Sequence, residues 1–197
     1  MGNKVPTLRF PEFTFAWKQK KISDVFFVNA GGDIEKEHVS QLKTNEFKYP
    51  IYANAAENKG FYAYSDIYKI EPPVVTVAGR GVNIGIAHAR DHKFYPIVRL
   101  LVLKPKEEQD IFFFEYRINT LNVFVESTGV PQLTAPQISN YKVTFPDLPE
   151  QIKIAKFLTA VDQRINLLQK KKTELERYKA GVMQKIFNQE ISSTLTD

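Results

Sequence analysis

Pro149-Glu150-Gln151-Ile152-Lys153-Ile154-Ala155 opens a lysine-rich stretch that reads as one helix to about Phe187. Along it Ile154, Leu158, Val161, Ile165, Leu168, Lys172, Leu175, Lys179, Val182 and Ile186 step by four and three without a break. That is a coiled-coil seam, apolar except at Lys172 and Lys179. A lone helix of this length is marginal in water unless its stripe is buried. At 1.5 Å per residue it spans roughly 55 Å, more than a domain of ~150 residues is wide. The reading therefore predicts that much of the helix projects and pairs with another; folding back along its own domain is the alternative. The two seam lysines either set register or mark where the seam meets solvent.

The residues before the helix read as a β-rich domain. Pro6, Pro11 and the alternation Leu8, Phe10, Phe13, Phe15, Trp17 suggest an extended arm over residues 1–21. Ser23-Asp24 suits the start of a short helix, Gly31-Gly32-Asp33 a turn, and 33–37 an acidic surface loop. Tyr49–Ala53, Val74–Ala78, Ile84–His88 and Ile97–Leu103 are strand candidates bounded by Gly or Pro. Asp110–Leu121 predicts a helix docked on the sheet, and Tyr141–Phe145 a closing strand. Pro146 and Pro149 punctuate the junction, with Pro149 or Glu150 in the long helix's first turn.

Composition narrows the functions available. The chain has 197 residues, 43% hydrophobic, enough for one core and an appendage. With 0 cysteines, disulfides and Cys-based zinc sites are excluded, which fits a reducing compartment. Met1-Gly2-Asn3-Lys4-Val5-Pro6 is neither an apolar signal core nor, with Pro at position 6, a myristoylation site. A cytoplasmic protein without a membrane span is expected. The net charge is +5 and the pI ≈ 9.2, but residues 150–187 alone carry 9 Lys/Arg against 4 Asp/Glu. The preceding domain is nearly neutral, so charge gives weak support for a nucleic-acid partner.

Four loops carry the candidate contacts. Gly79-Arg80-Gly81-Val82-Asn83-Ile84-Gly85 lacks the following helix of a phosphate-binding glycine loop. It reads as a tight hairpin with an exposed Arg80, suited to a base edge or a phosphate; an ordinary turn with a solvated Arg accounts for it too. His88-Ala89-Arg90-Asp91-His92-Lys93 is locally basic, on a strand and turn where two histidines without a third ligand do not make a metal site; it reads as a surface contact to phosphate or as a stretch with no role. Asn54 to Tyr62 is a polar loop in which Asn58 suits adenine and Lys59 phosphate, or in which Asn side chains cap a turn. Tyr62, Tyr64 and Tyr68 read as core. Gln132, with Thr134 and Gln137 in the same polar loop, suits a base edge, and a loop held rigid by Pro131 and Pro136 accounts for the composition too. Asn83, His88, Arg90 and Arg80 complete the set.

Catalytic motifs are missing. The sequence has no Cys nucleophile, no Gly-x-Ser-x-Gly elbow and no Asn/Asp-Pro-Pro-aromatic methyltransferase motif. Pro72-Pro73 is flanked by Glu71 and Val74. Pro146-Asp147 is followed by no Asp/Glu-x-Lys in a sensible strand. The chain reads as non-catalytic, with no cofactor and no metal.

Several of these residues together resemble the specificity subunits of type I restriction–modification systems. Pro6-x-Leu8-Arg9-Phe10-Pro11-x-Phe13 with Trp17 resembles their start. Asn58-Lys59-Gly60 and Arg80-Gly81 resemble their target-recognition domain, and Gly129-x-x-Gln132-Leu133 with Ile138 its end. Pro149-Glu150-Gln151-x-x-Ile154-Ala155-x-Phe157-Leu158, with Asp162 and Ile165, resembles the start of their spacer helix, and Lys179-x-Gly181-x-Met183 through Phe187 its end. The resemblance implies an α+β fold: a mixed sheet-and-helix recognition domain over 1–148, a spacer helix over 149–188 and a flexible tail over 189–197. It implies a subunit that binds double-stranded DNA and holds methyltransferase (M) and restriction (R) subunits, its partners doing the chemistry.

The family usually carries two recognition domains and two helices per chain, and here there is one of each. The chain is then an N-terminal half or a single-unit protein. Its seam, centred on Leu158, Val161, Ile165, Leu168 and Leu175, predicts a homodimer. Antiparallel pairing would set two heads over inverted half-sites, with the helices as ruler. A coiled-coil scaffold that binds only protein is the rival reading, favoured somewhat by the near-neutral globular part.

Overall fold

Val74-Val75-Thr76-Val77 is buried at every residue, as a strand covered on both faces must be. The architecture follows from that covering. A computed structural model describes residues 6–55, 57–123 and 131–187. In chain order these hold β1 (Lys18–Lys21), α1 (Ile22–Val25), β2 (Phe26–Ala30), β3 (Tyr49–Tyr52), β4 (Phe61–Ser65), β5 (Val74–Val77), β6 (Ala87–Arg90), β7 (Tyr95–Pro96), β8 (Leu101–Pro105), α2 (Ile111–Asn119), α3 (Ala135–Ser139), β9 (Lys142–Phe145) and α4 (Leu148–Phe187). The class is α+β, as expected. An antiparallel sheet runs β2-β8-β5-β6, with Val75 opposite Leu103 on one side and Ala89 on the other. A smaller sheet runs β4-β3-β7, β3 and β7 being parallel, and β1 pairs with β9.

The faces of the larger sheet separate by alternation along its strands. Val75, Val77, Leu101 and Leu103 join Phe26, Phe114, Ile118, Ile138 and Phe145 in the main core. Val74 and Val102 join Tyr52, Phe94 and Leu100 on the other face. Helix α2 starts because the Asp110 carboxylate accepts the Phe113 N–H at 2.8 Å, and it buries Ile111, Phe114 and Ile118 on one stripe. Each such large side chain contributes about 1.5–3 kcal/mol by leaving water.

Helix α4 begins at Leu148, and Pro149 sits in its first turn, where a missing N–H costs nothing. Residues up to Ala155 form one compact unit and residues from Lys156 another. In the first unit Glu150, 3% exposed, accepts from Arg9 Nε and Nη2, both at 2.7 Å, and from Trp17 Nε1 at 3.3 Å. This fork holds the N-terminal arm; Leu8 and Phe15 of that arm are exposed. In the second unit α4 continues with Val161, Ile165, Leu168 and Leu175 exposed to 40–56%.

Several local expectations are corrected. The Ile84–His88 strand begins only at Ala87, because a 3-10 turn at Gly81–Asn83 and positive φ at Gly81 and Gly85 occupy the connection; the tight hairpin is absent. The Ile97–Leu103 strand is broken by left-handed backbone at Val98 and Arg99. Gly31-Gly32 is no turn: Gly31 presses on Pro96, whose O would lie 2.7 Å from an added Cβ. Tyr62 and Tyr68 are exposed, and the expected loop after Pro131 contains α3, capped by Thr134 and Gln137. Among the described residues no helix is long and apolar enough to cross a membrane. Gly129 and the expected tail 189–197 lie outside the described residues.

Candidate nucleic-acid interface

The polar turns meet at the end of β5. Gly79 donates its N–H to Asn54 Oδ1 at 2.8 Å and accepts from Leu133 N at 2.8 Å. A Cβ here would lie 2.9 Å from Leu133 O and 3.2 Å from Arg99 O, so only glycine lets three backbones approach this closely. The next residue, Arg80, forms an antiparallel bridge with Gln132 and donates from Nη2 to Gln132 Oε1 at 3.0 Å. Two predicted contact residues, 52 positions apart, are thus one preassembled pair. Arg80 is half-buried rather than fully exposed, and its bond to Gln132 fixes the direction of the guanidinium fork. Val82 is fully exposed at the turn's tip. Asn83, half-buried, shares that turn, and its side chain has no partner among the described residues.

A second group forms around Lys59. Asn58 and Lys59 are both left-handed, with φ of 48° and 55°, and Gly60 follows at 82°. Ala53 N closes the turn on Gly60 O at 2.8 Å. Both side chains are exposed. The Lys59 ammonium lies 3.7 Å from Glu115 Oε1, and His88 Nδ1 lies 3.3 Å from the same oxygen. Burial works to raise the Glu115 carboxyl, but the bond with His88 and the charge of Lys59 outweigh it and hold it below the ordinary carboxylate range.

Two expected contacts need correction. Arg90 is 2% exposed and presents nothing to a duplex. Its Cζ lies 3.6 Å from the Tyr52 ring centroid, Nε donates to Thr76 Oγ1 at 3.0 Å and Nη2 donates to Lys59 O. Burial lowers its pKa and raises that of Tyr52, each opposed by the other's presence. Arg90 holds the Asn58-Lys59 turn from beneath. His88 points Nδ1 at Glu115, and its Nε2 is buried with no partner among the described residues, so it too faces inward.

Sequence reasoning marks neither Asn54 as a bridge, nor the Val98–Arg99 turn, nor Tyr52. Ile97-Val98-Arg99-Leu100 carries no turn residue, and nothing local could mark it. On α4, Leu158 is half-buried and Val161, Ile165, Leu168 and Leu175 are exposed on one stripe.

Comparisons agree with this architecture. The profile of the type I restriction modification DNA specificity domain matches residues 16–177. A Mycoplasma pneumoniae protein assigned as a type I specificity subunit is 28% identical over 191 residues, covering 91% of this chain and 57% of that protein. Another from the same organism is 30% identical over 139 residues, covering 71% and 38%. The crystal structure of a type I restriction-modification system S subunit from M. genitalium matches 86% of this chain and 44% of its own, at a TM-score of 0.64 and 19% identity. At that identity the likeness is one of fold. The chain spans about half the length of the curated relatives it matches. With a profile covering most of its length, the chain belongs to the type I restriction modification DNA specificity domain family.

Proposed function

We propose that this chain reads DNA sequence for a type I restriction–modification assembly, and that it does no chemistry itself. The observation that carries the reading is the junction at Gly79, which brings Arg80 and Gln132 into one pair beside the exposed turns at 81–83 and 98–99. A guanidinium fixed by a neighbouring amide loses little freedom on meeting a base edge, and its fork matches guanine O6 and N7. Asn58, Lys59, Arg80, Asn83 and Gln132 are the proposed contacts. Residues 1–148 act as the recognition domain and 149–188 as the spacer. Methyltransferase and restriction subunits, in the cytoplasm, are the proposed partners.

The exposed stripe on α4 supports pairing with a second helix, either of another copy or of a longer parent chain. Four large apolar side chains, Val161, Ile165, Leu168 and Leu175, are not left in water without cost. A homodimer would place two recognition domains over inverted half-sites.

The test is selection of bound duplexes from a random pool, with a type I methyltransferase subunit present, followed by salt titration. A recurring sequence, with affinity falling on the order of a thousandfold between 50 and 200 mM salt, is expected. No binding and no preference would favour the protein-binding scaffold instead.

A further inference from the structure

We infer that the Val98–Arg99 turn is a second base-reading element of the same surface and that Asn54 is its positioning residue. This rests on the DNA-reading function proposed above and assigns it residues that no motif pointed to.

The turn is unusual in its backbone. Val98 and Arg99 have φ of 53° and 58°. A β-branched residue in the left-handed region is a conformational outlier, kept only where surrounding contacts determine it. Those contacts are present on each side. Val98 N donates to Gly32 O at 3.0 Å, Leu100 N donates to Ile97 O at 3.0 Å, and Ile97 N donates to Tyr52 O at 2.9 Å. Asn54 supplies the bond that ties the turn to the reading surface. Its Nδ2 donates to Val98 O at 2.5 Å while its Oδ1 accepts from Gly79 N at 2.8 Å. One amide therefore fixes the Val98–Arg99 turn against the residue before Arg80.

The side chains so held are poorly employed in the fold. Val98 is 45% exposed. Arg99 is exposed, and its guanidinium has no partner among the described residues. A rigid, strained backbone that displays an unengaged arginine and an exposed isopropyl group is costly as a plain connector. It suits a duplex edge: the Arg99 fork on guanine O6 and N7, and the Val98 methyls on the thymine methyl of a neighbouring pair. The Arg80 guanidinium is held by Gln132, and the Arg99 backbone, held through Asn54 at Val98, lies against Gly79, the residue before Arg80.

The test is selection from a random duplex pool by the full chain with a type I methyltransferase subunit, comparing Arg99→Ala, Arg99→Lys, Asn54→Asp and Arg80→Ala with the unsubstituted chain. Arg99→Ala should relax discrimination at one guanine by about tenfold or more and leave sharp the positions relaxed by Arg80→Ala. Arg99→Lys keeps the charge but not the fork, and should relax the same position. Asn54→Asp keeps the acceptor for Gly79 N–H and loses the donor to Val98 O, so it should relax that position too. Melting temperatures check that each variant is folded. An unchanged motif for Arg99→Ala overturns the inference. So does uniform weakening with the salt slope reduced by about one, the mark of a phosphate contact. If the unsubstituted chain selects no sequence at all, the DNA-reading function fails, and this assignment fails with it.

Discussion

Replacing Arg90 by alanine should destabilise the compact unit that ends at Ala155 by about 2–3 kcal/mol. The guanidinium stacks on Tyr52 at 3.6 Å, out of water, a contact of about 2 kcal/mol when desolvated. It also donates to Thr76 Oγ1 and to Lys59 O, and hydrogen bonds from a charged group contribute about 1.5–3 kcal/mol each. Against this stands the cost of burying the cation, several kcal/mol, which is why its pKa is lowered despite those partners. The alanine variant relieves that burial, but it empties the space over Tyr52 and leaves the Lys59 carbonyl and Thr76 Oγ1 without their donor, and these losses outweigh the relief. In a domain of this size the loss corresponds to about 5–10 °C in Tm. Arg90→Met keeps an apolar stem on Tyr52 and leaves the Lys59 carbonyl to water, so it should lose about 1 kcal/mol less. Both variants release the Lys59 carbonyl, and both should loosen any base preference due to Asn58. Thermal melting with selection from a random pool measures the two effects. An alanine variant that melts within a degree of the parent and selects the same motif would refute the view that Arg90 cements this turn.

Three further outcomes are expected. Leu168→Glu puts a charge on the exposed α4 stripe and should weaken self-association more than tenfold by sedimentation; an unaffected dimer would place the interface elsewhere. Gly60→Ala should cost about 2 kcal/mol in chemical denaturation, because its φ is +82° and an added Cβ would lie 2.5 Å from Ala53 O; an unchanged midpoint would disprove that geometry. The His38–Asp66 pair sets a pH window. The bond to Asp66, aided by the charges of Asp66, Glu37 and Glu35, raises His38 above its ordinary 6.5, and the same bond lowers Asp66 below its ordinary 3.8. The stabilisation is complete between those ordinary values. It fades as pH rises through the raised histidine value and as pH falls through the lowered aspartate value. The melting difference between the parent and His38→Gln should therefore be widest near pH 5 and narrow at alkaline pH; a constant difference would show that charge is not involved.

What the sequence disclosed and what it hid follow one physical division. The α4 seam, the buried run at Val74–Val77 and the cap at Asp110 are set by periodicity and by neighbours within four residues, and they are legible. Thr134-x-x-Gln137 is legible too, as a capping box, but the two prolines of its segment point toward a loop. The Val98–Arg99 turn is not. Its backbone is dictated by Gly32, Tyr52 and Asn54, all distant in the chain, and its own side chains favour a strand. The same holds for Arg90. A charged residue in a basic stretch reads as surface, and only an aromatic ring from β3 and a carbonyl from a left-handed turn make it interior.

This division bears on how such a domain varies its target. The groups that fix the turns, Asn54, Gly60, Gly79 and Arg90, act through backbone atoms or from beneath the surface. The groups proposed to touch DNA, Asn58, Lys59, Arg80, Asn83, Arg99 and Gln132, present side chains whose removal leaves most of those backbone bonds in place. Bracing and reading are therefore separable except at Gln132, whose side chain also holds Arg80. Substitution of a reading residue should change the motif with a small change in stability, whereas substitution of a bracing residue should lower stability and blur the motif together. Measuring both quantities across the two sets would expose the distinction, and equal losses in each set would show that the same residues carry both tasks.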